Sequence, residues 1–356
     1  MKILIIGGTG FISGRLVDIL LAAEHRVSVF TRGKSGCSAV RRRNVNYLIG
    51  DRRNESSLRE AVGAQNFDAV YDMVAYDPHE SEIAARVFSG KVGRFIHCST
   101  ISVYMVSNEV QCPITEDQHQ APLMPFFPRN PFGMQYGINK RKCEDVLWAE
   151  HDERTLPVSM LRPTYVCGPN DPVQRDLFWI ERIRDGGPLL IPGSGDFAFQ
   201  NVFVDDVARA FVTLLDHPAA VGQAYNVAGE EIYSLNDYLR MLGKILDRQP
   251  EFVHVDQEVF DAQSFSLHPR GDVFPFNTRR TAIFSLEKIK RDLGYHSTLI
   301  SEWLPQTVHW YLQEFKGLST GYERRREEID FLRKWQQLHR DLAPAFDNLS
   351  LYKFRT

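Results

Sequence analysis

Tyr136 and Lys140 stand one helical turn apart in the segment Tyr136-Gly-Ile-Asn-Lys140, so both side chains leave the same face of a helix. A phenol titrates near ~10 in water and is a poor base at neutral pH. A neighbouring ammonium favours the phenolate, and such a pair can take the proton of an alcohol. The same chain opens with Ile6-Gly-Gly-Thr-Gly-Phe-Ile-Ser-Gly14, a glycine-rich turn after an apolar run. Gly7, Gly8 and Gly10 let the backbone turn tightly and bring N–H groups to a pyrophosphate at the positive end of a helix. A tyrosine base downstream of a dinucleotide loop points to one chemistry: the phenolate removes the carbinol proton while a nicotinamide accepts the hydride.

Three further positions bear on the dinucleotide. Ser13 stands where a third glycine would ease helix–strand packing, and a slight local adjustment is expected there. The second strand ends Val29-Phe30-Thr31-Arg32 without the acidic residue that would bind the ribose 2′-hydroxyl of NAD. Arg32 facing a 2′-phosphate favours NADP over NAD, and a solvent-exposed loop arginine is the competing reading. Gly50-Asp51-Arg52 follows the third strand, where a carboxylate can accept from the adenine amino group or simply close a turn.

The elements that must position these groups alternate through the first half. Strands are expected at 2–6, 27–30, 46–49, 69–74, 94–98 and 158–161, and helices at 15–23, 55–62, 81–88 and 137–149. Continuous apolar strands alternating with helices specify an α/β, doubly wound parallel sheet of the Rossmann kind, with its crevice at the carboxyl ends of the strands. The expected division is a dinucleotide domain at 1–167, with parts of 200–226 and 283–295 returning to it. A smaller, mixed substrate-binding lobe and C-terminal helices take 168–199, 227–282 and 296–356. The stretch 105–133, with Pro113, Pro122, Pro125, Pro128 and Pro131, reads as a working loop rather than a linker. In the tail, Phe331, Trp335 and Leu338 suit a docked amphipathic helix.

Composition excludes several classes. A formal net charge of −3 over 356 residues makes no electrostatic case for nucleic acid or an anionic membrane. The run Arg41-Arg42-Arg43 reads as a solvated loop. Cys37, Cys98, Cys112, Cys143 and Cys167 are odd in number and never Cys-x-x-Cys, and the histidines lack ligand spacing, so neither a disulfide framework nor a metal is expected. No apolar segment approaches the ~20 residues of a membrane span. The first strand begins at Lys2, leaving no room for a leader, and a reducing cytoplasm is the expected compartment.

Several motifs stand in order: Gly-Gly-Thr-Gly-Phe-Ile at 7–12, Gly50-Asp51, Asp68-Ala-Val-Tyr-Asp-Met-Val-Ala75, Ser99-Thr-Ile-Ser-Val-Tyr104 and Tyr136-Gly-Ile-Asn-Lys140. Leu161-Arg-Pro-Thr-Tyr-Val-Cys-Gly-Pro169 and Val204-Asp-Asp-Val-Ala208 complete the set. On these the chain resembles, over residues 1–315, the extended short-chain dehydrogenase/reductases of the NAD-dependent epimerase/dehydratase group. The opening and Tyr76-Asp77-Pro78 most resemble a bacterial branch related to the chloroplast stem-loop-binding proteins, which are linked to RNA.

The resemblance implies roles residue by residue. Thr100 would hydrogen-bond the reacting oxygen, Tyr136 would be the acid/base, and Lys140 would bind the nicotinamide ribose and hold the phenol's pKa down. Gly7, Gly10, Phe11, Ile12, Thr31, Arg32, Asp51 and Arg52 would contact the dinucleotide, as would Met73, Val74, Ala75 and Pro163. Tyr165 stands where epimerases often carry an Asn that contacts substrate. Ile101 and Ser102 replace the Asp-Glu pair of the 4,6-dehydratases, which argues against elimination chemistry. Asp205-Asp206 would start a helix. The expected substrate is a sugar or nucleotide-sugar, handled by an epimerase or a dehydrogenase/reductase. A homodimer packed through the helix after Tyr136 (Ile138, Val146, Leu147, Ala149) is also implied, with burial against the chain's own sheet an equal explanation for some of these positions. The alternative is a cofactor-binding regulatory or RNA-associated protein that kept the fold without turnover.

Overall fold

Residues 1–33, 42–125, 133–262, 276 and 280–347 are described in the computed structural model. Cys37, Arg41, Pro128 and Pro131 lie outside them.

The first half alternates as its apolar runs require. It comprises β1 (Lys2–Ile6), α1 (Phe11–Ala22), β2 (Arg26–Thr31), β3 (Val45–Ile49), α2 (Glu55–Val62) and β4 (Ala69–Asp72). Then come α3 (Pro78–Phe88), β5 (Arg94–Cys98), α4 (Ser102–Met105), α5 (Met134–Asp152), β6 (Val158–Pro163) and β7 (Tyr165–Cys167). The chain continues through α6 (Arg175–Arg184), β8 (Leu189–Pro192), β9 (Ala198–Phe199), β10 (Asn201–Phe203), α7 (Val204–Asp216), β11 (Gln223–Val227) and β12 (Tyr233–Ser234). It closes with α8 (Leu235–Ile245), β13 (Phe252–Val255), α9 (Gln257–Ala262), α10 (Glu287–Leu293), α11 (Ile300–Glu314) and α12 (Arg325–Asp347).

Seven strands form one sheet in the order β11-β6-β5-β4-β1-β2-β3. Every pair in it is parallel, from Ile3 opposite Val27 and Ala69 to Asn226 opposite Arg162. The doubly wound Rossmann architecture is therefore present. Side chains alternate across each strand. Leu4, Ile6, Val70, Phe95, Val158 and Met160 join Leu58 of α2, Ile83 and Val87 of α3 and Leu147 of α5 in one buried core. Tyr71 points the other way, edge-on to Phe211 of α7, and its hydroxyl donates to the Phe211 carbonyl at 3.0 Å.

Helix starts follow local chemistry. Asn54 caps α2 by accepting from the Ser57 N–H at 3.0 Å, and Asp77 caps α3, whose first residue is Pro78. That cap starts α3 three residues earlier than the apolar spacing indicates. Strand β4 ends at Asp72, two residues short of the expected 74, although the Met73 N–H still donates to the Ile6 carbonyl of β1 at 3.1 Å.

The chain divides into two units. One comprises 1–172, 199–232 and 282–306, and the other 173–198, 233–281 and 307–356. Residues 296–306 pack with the first: the Thr298 N–H and hydroxyl donate to Asp206, and Trp303 stacks on Phe203 at 5.9 Å. Asp205 and Asp206 occupy the first turn of α7 rather than its cap, where their charge suits the helix dipole. Within the stretch 105–125, Glu116 accepts from the Asn226 N–H through its carboxylate and from Arg162 through its carbonyl. Hydrogen bonds thus tie this stretch down.

In the second unit β8 pairs in parallel with β13, and α12 lies against β13. The Trp335 indole donates to the His254 carbonyl at 2.9 Å and Leu332 is fully buried. The docked tail helix therefore forms, with a shifted seam: Leu338, expected inside, is half exposed.

Candidate active site

The glycine turn is shaped by close approach. Gly7 has φ +89°, and a Cβ there would lie 2.4 Å from Cγ1 of Val74. Only glycine lets β1 and the end of β4 meet this tightly. Ser13 does more than fill space: its hydroxyl donates to the Gly7 carbonyl at 2.6 Å and accepts from the Gly10 N–H at 2.9 Å. The third-glycine position thus carries a side-chain staple that holds the loop in its turn. Phe11 and Ile12 begin α1 half-buried, and Gly10 is exposed ahead of them.

At the end of β2, Thr31 is half-buried and Arg32 exposed, both at the carboxyl edge of the sheet. Asp51 is exposed and its side chain accepts from the Arg53 N–H at 3.0 Å, closing a turn. Arg52 differs from expectation. It turns inward, 6% exposed, where its guanidinium pairs with Asp72 and donates to the Glu80 carbonyl at 2.8 Å. A guanidinium this buried requires a carboxylate partner, and Asp72 supplies one. Arg42 also departs from the solvated-loop reading: it pairs with Asp18 and donates to the Gly14 carbonyl at 3.0 Å.

The catalytic candidates collect at the carboxyl ends of β4 and β5 and on α5. Gly137 allows this. A Cβ there would sit 2.6 Å from the Ser102 carbonyl oxygen, so glycine brings α5 against the backbone beside Thr100. The Thr100 hydroxyl lies 3.2 Å from both the Ser102 hydroxyl and the Ser102 N–H. Tyr136 is 38% exposed, and its ring lies 6.3 Å from that of Tyr76. Met73 and Ala75 are buried and Val74 half-buried beside the glycine turn. Pro163 ends β6, buried, and Tyr165 stands edge-on to Phe199 at 6.3 Å.

Lys140 is 2% exposed and points into the sheet edge. Its ammonium donates to the Ala75 carbonyl at 2.9 Å and the Cys98 carbonyl at 2.6 Å, and meets His97 Nε2 at 3.2 Å. It also lies 6.0 Å from the centre of the Tyr76 ring. Burial, with the positive charges of Lys140, Arg52 and Arg162, drives the His97 pKa well below its ordinary value, so the imidazole is neutral. Two neighbours of the site, His97 and Tyr76, have no assigned role in the sequence reading. Their signals were an imidazole on a buried central strand and an aromatic next to the motif ending at Ala75.

Behind the site, Glu144 of α5 is fully buried and accepts from Arg162 and from the Ser99 hydroxyl. Burial would raise this carboxyl, but Arg162 and Ser99 overcome it and hold the pKa below the ordinary value. This pair locks α5, and hence Tyr136 and Lys140, to β5 and β6.

The model of the NAD dependent epimerase/dehydratase family matches residues 3–228. The chain belongs to that family. A relative within reach is the chloroplast stem-loop binding protein of 41 kDa b from Arabidopsis thaliana, 28% identical over 83% of this chain and 74% of that protein. The trifunctional UDP-glucose 4,6-dehydratase/UDP-4-keto-6-deoxy-D-glucose 3,5-epimerase/UDP-4-keto-L-rhamnose-reductase of the same plant is 25% identical over 88% of this chain, which spans 47% of that protein. Among solved structures, UDP-glucuronic acid 4-epimerase from Bacillus cereus, in complex with UDP-glucuronic acid and NAD, shares the fold. Its TM-score is 0.68 at 21% identity, covering 88% of this chain and 100% of that one. No helix among the described residues is long and apolar enough to cross a membrane.

Proposed function

We propose that this family member binds a nicotinamide dinucleotide and oxidises or epimerises a secondary alcohol of a sugar or nucleotide-sugar. The observation that carries the reading is that Gly137 brings α5, which bears Tyr136 and Lys140, against the Ser102 backbone beside Thr100, at the carboxyl edge of the sheet that also carries the Gly7–Gly10 turn. The residues fit the group: Gly7 leaves no room for a side chain, Ser13 holds the turn, and the exposed Gly10 stands at the N-cap of α1. Phe11, Ile12, Thr31 and Asp51 would flank the dinucleotide, with Met73, Val74, Ala75 and Pro163 under the nicotinamide half. Arg32, exposed and without a competing acidic residue at the strand end, favours a 2′-phosphate and thus NADP. When bound, the dinucleotide accepts and returns a hydride.

The chain's own residues handle the proton and the orientation. Tyr136 exchanges the proton of the reacting hydroxyl, and Thr100 donates to or accepts from the same oxygen. Lys140 supplies the positive charge that favours phenolate. Neither Ile101 nor Ser102 offers a carboxylate for elimination, so epimerase or dehydrogenase/reductase chemistry is the better fit than dehydration. Tyr165 would face the substrate. The family's NAD-bound relatives and the nucleotide-sugar complex support the cofactor and substrate classes.

The test is purified protein with NAD or NADP and a panel of UDP-, dTDP- and GDP-sugars. Net change at the nicotinamide absorbance marks a dehydrogenase or reductase, and isomerised product without it marks an epimerase. Tyr136→Phe is expected to lower turnover roughly 10²–10⁴-fold while dinucleotide binding persists. Unchanged turnover removes the proposed base. A second reading, a cofactor-binding, RNA-associated protein without turnover, is favoured by the likeness to the stem-loop binding protein. Stem-loop RNA bound equally by the chain and by Tyr136→Phe, with no product from any sugar, would select it.

A further inference from the structure

His97 is fully buried on β5, and its two ring nitrogens are in unequal situations. Nε2 faces the Lys140 ammonium at 3.2 Å, while Nδ1 is buried with no hydrogen-bond partner. An ammonium only donates, so Nε2 must be the lone-pair nitrogen and Nδ1 must carry the ring proton. This tautomer is set by the lysine alone.

Lys140 has three hydrogens, and three acceptors take them: the carbonyls of Ala75 and Cys98 at 2.9 and 2.6 Å, and His97. The ammonium has no hydrogen left for a further acceptor. On the dinucleotide reading given above, Lys140 must donate to a ribose hydroxyl, so one of the three contacts must open. The His97 contact is the longest. Opening it leaves the imidazole with no partner on either nitrogen in a fully buried place, which opposes the exchange.

We propose that His97 is a positioning residue that competes with the dinucleotide ribose for one hydrogen of Lys140, holding the ammonium back until the ribose replaces it. The Ala75 and Cys98 carbonyls act as the pivot, and the imidazole as the contact exchanged. His97 thereby weakens dinucleotide binding and makes the position of Lys140 depend on an occupied site.

The experiment measures the Kd of NADP and NAD by titration of the full chain. His97→Phe, which offers no acceptor, is expected to tighten Kd by roughly tenfold, the size of one charge-assisted hydrogen bond. His97→Gln, whose amide oxygen can take the same hydrogen, is expected to stay near the unsubstituted value. In a Lys140→Met background the His97→Phe effect is expected to vanish, because no hydrogen remains to be shared. An equal effect in both lysine backgrounds, or no effect in either, overturns the inference while leaving the dinucleotide reading intact. Failure of NAD and NADP to bind the unsubstituted chain overturns both.

A second measurement needs no substitution. In protein labelled with 15N-histidine, the His97 Nε2 resonance is expected to move when NADP saturates the site. A resonance that stays in place under saturating NADP overturns the inference, even if His97→Phe fails to fold.

Discussion

The properties of Tyr136 depend on neighbours that its own sequence position does not reveal. Lys140 shares its helix face, yet the ammonium's hydrogen bonds run inward to Ala75, Cys98 and His97. Thr100 is held by Ser102 at 3.2 Å, and Thr100→Val is expected to lower turnover while leaving dinucleotide Kd unchanged, read by steady-state kinetics and titration. His97 also has a signature in stability. Its folded pKa is well below the ordinary 6.5, so below pH 6.5 the unfolded chain binds a proton that the folded chain refuses. Stability from this group is present above pH 6.5 and is lost as pH falls toward the depressed value. His97→Leu is expected to flatten the urea-unfolding free energy between pH 6.5 and 5, and an unchanged slope would refute a neutral buried imidazole.

Helix α5 carries both Tyr136 and Lys140, and two contacts that help fix it can be tested by substitution. Gly137 lets it approach the Ser102 carbonyl, where an added Cβ would meet oxygen at 2.6 Å. Gly137→Ala is expected to destabilise the fold by about 1–3 kcal/mol through overpacking and to lower turnover by misplacing Tyr136. Urea unfolding and kinetics on one preparation check both effects. Glu144 anchors the same helix to Arg162 from beneath. Arg162→Met leaves a buried carboxylate unpaired, with an expected cost of about 3–5 kcal/mol. Because the Glu144 pKa is held below its ordinary 4.5, the pair's stabilisation is present above pH 4.5 and lost as pH falls below it. Glu144→Gln is expected to remove part of that acid limb.

Within the second unit, buried ion pairs join apolar contacts such as Leu332 in securing the C-terminal helix. Glu328 is buried between Arg182 and Arg325, and Arg325 also pairs with Asp185. Removing Glu328 leaves the fully buried Arg182 without its carboxylate, while Arg325 keeps Asp185, so Glu328→Ala is expected to cost about 3–5 kcal/mol and to lower the Tm. Calorimetry of the full chain measures it. Leu338 lies on the open side of the same helix, half exposed. Leu338→Ala is expected to change stability by less than about 0.5 kcal/mol, as for other surface positions.

Apolar runs of four to six residues, separated by helical spacing, were enough to read the parallel sheet, because a strand covered on both faces has few alternative sequences. The glycine turn and the Tyr136–Lys140 spacing were equally legible, since close backbone approach and a shared helix face are local demands. Partner choice was not. Arg52 read as a dinucleotide contact and Arg42 as a solvated charge, but they turn to Asp72 and Asp18, and Lys140 turns to His97, because a charge drawn out of solvent goes to whichever complementary group folding brings within reach. Those groups lie 20, 24 and 43 residues away in the chain. Local pattern selects the element and the face, whereas long-range packing selects the acceptor, and at this site the acceptor governs what the lysine can do.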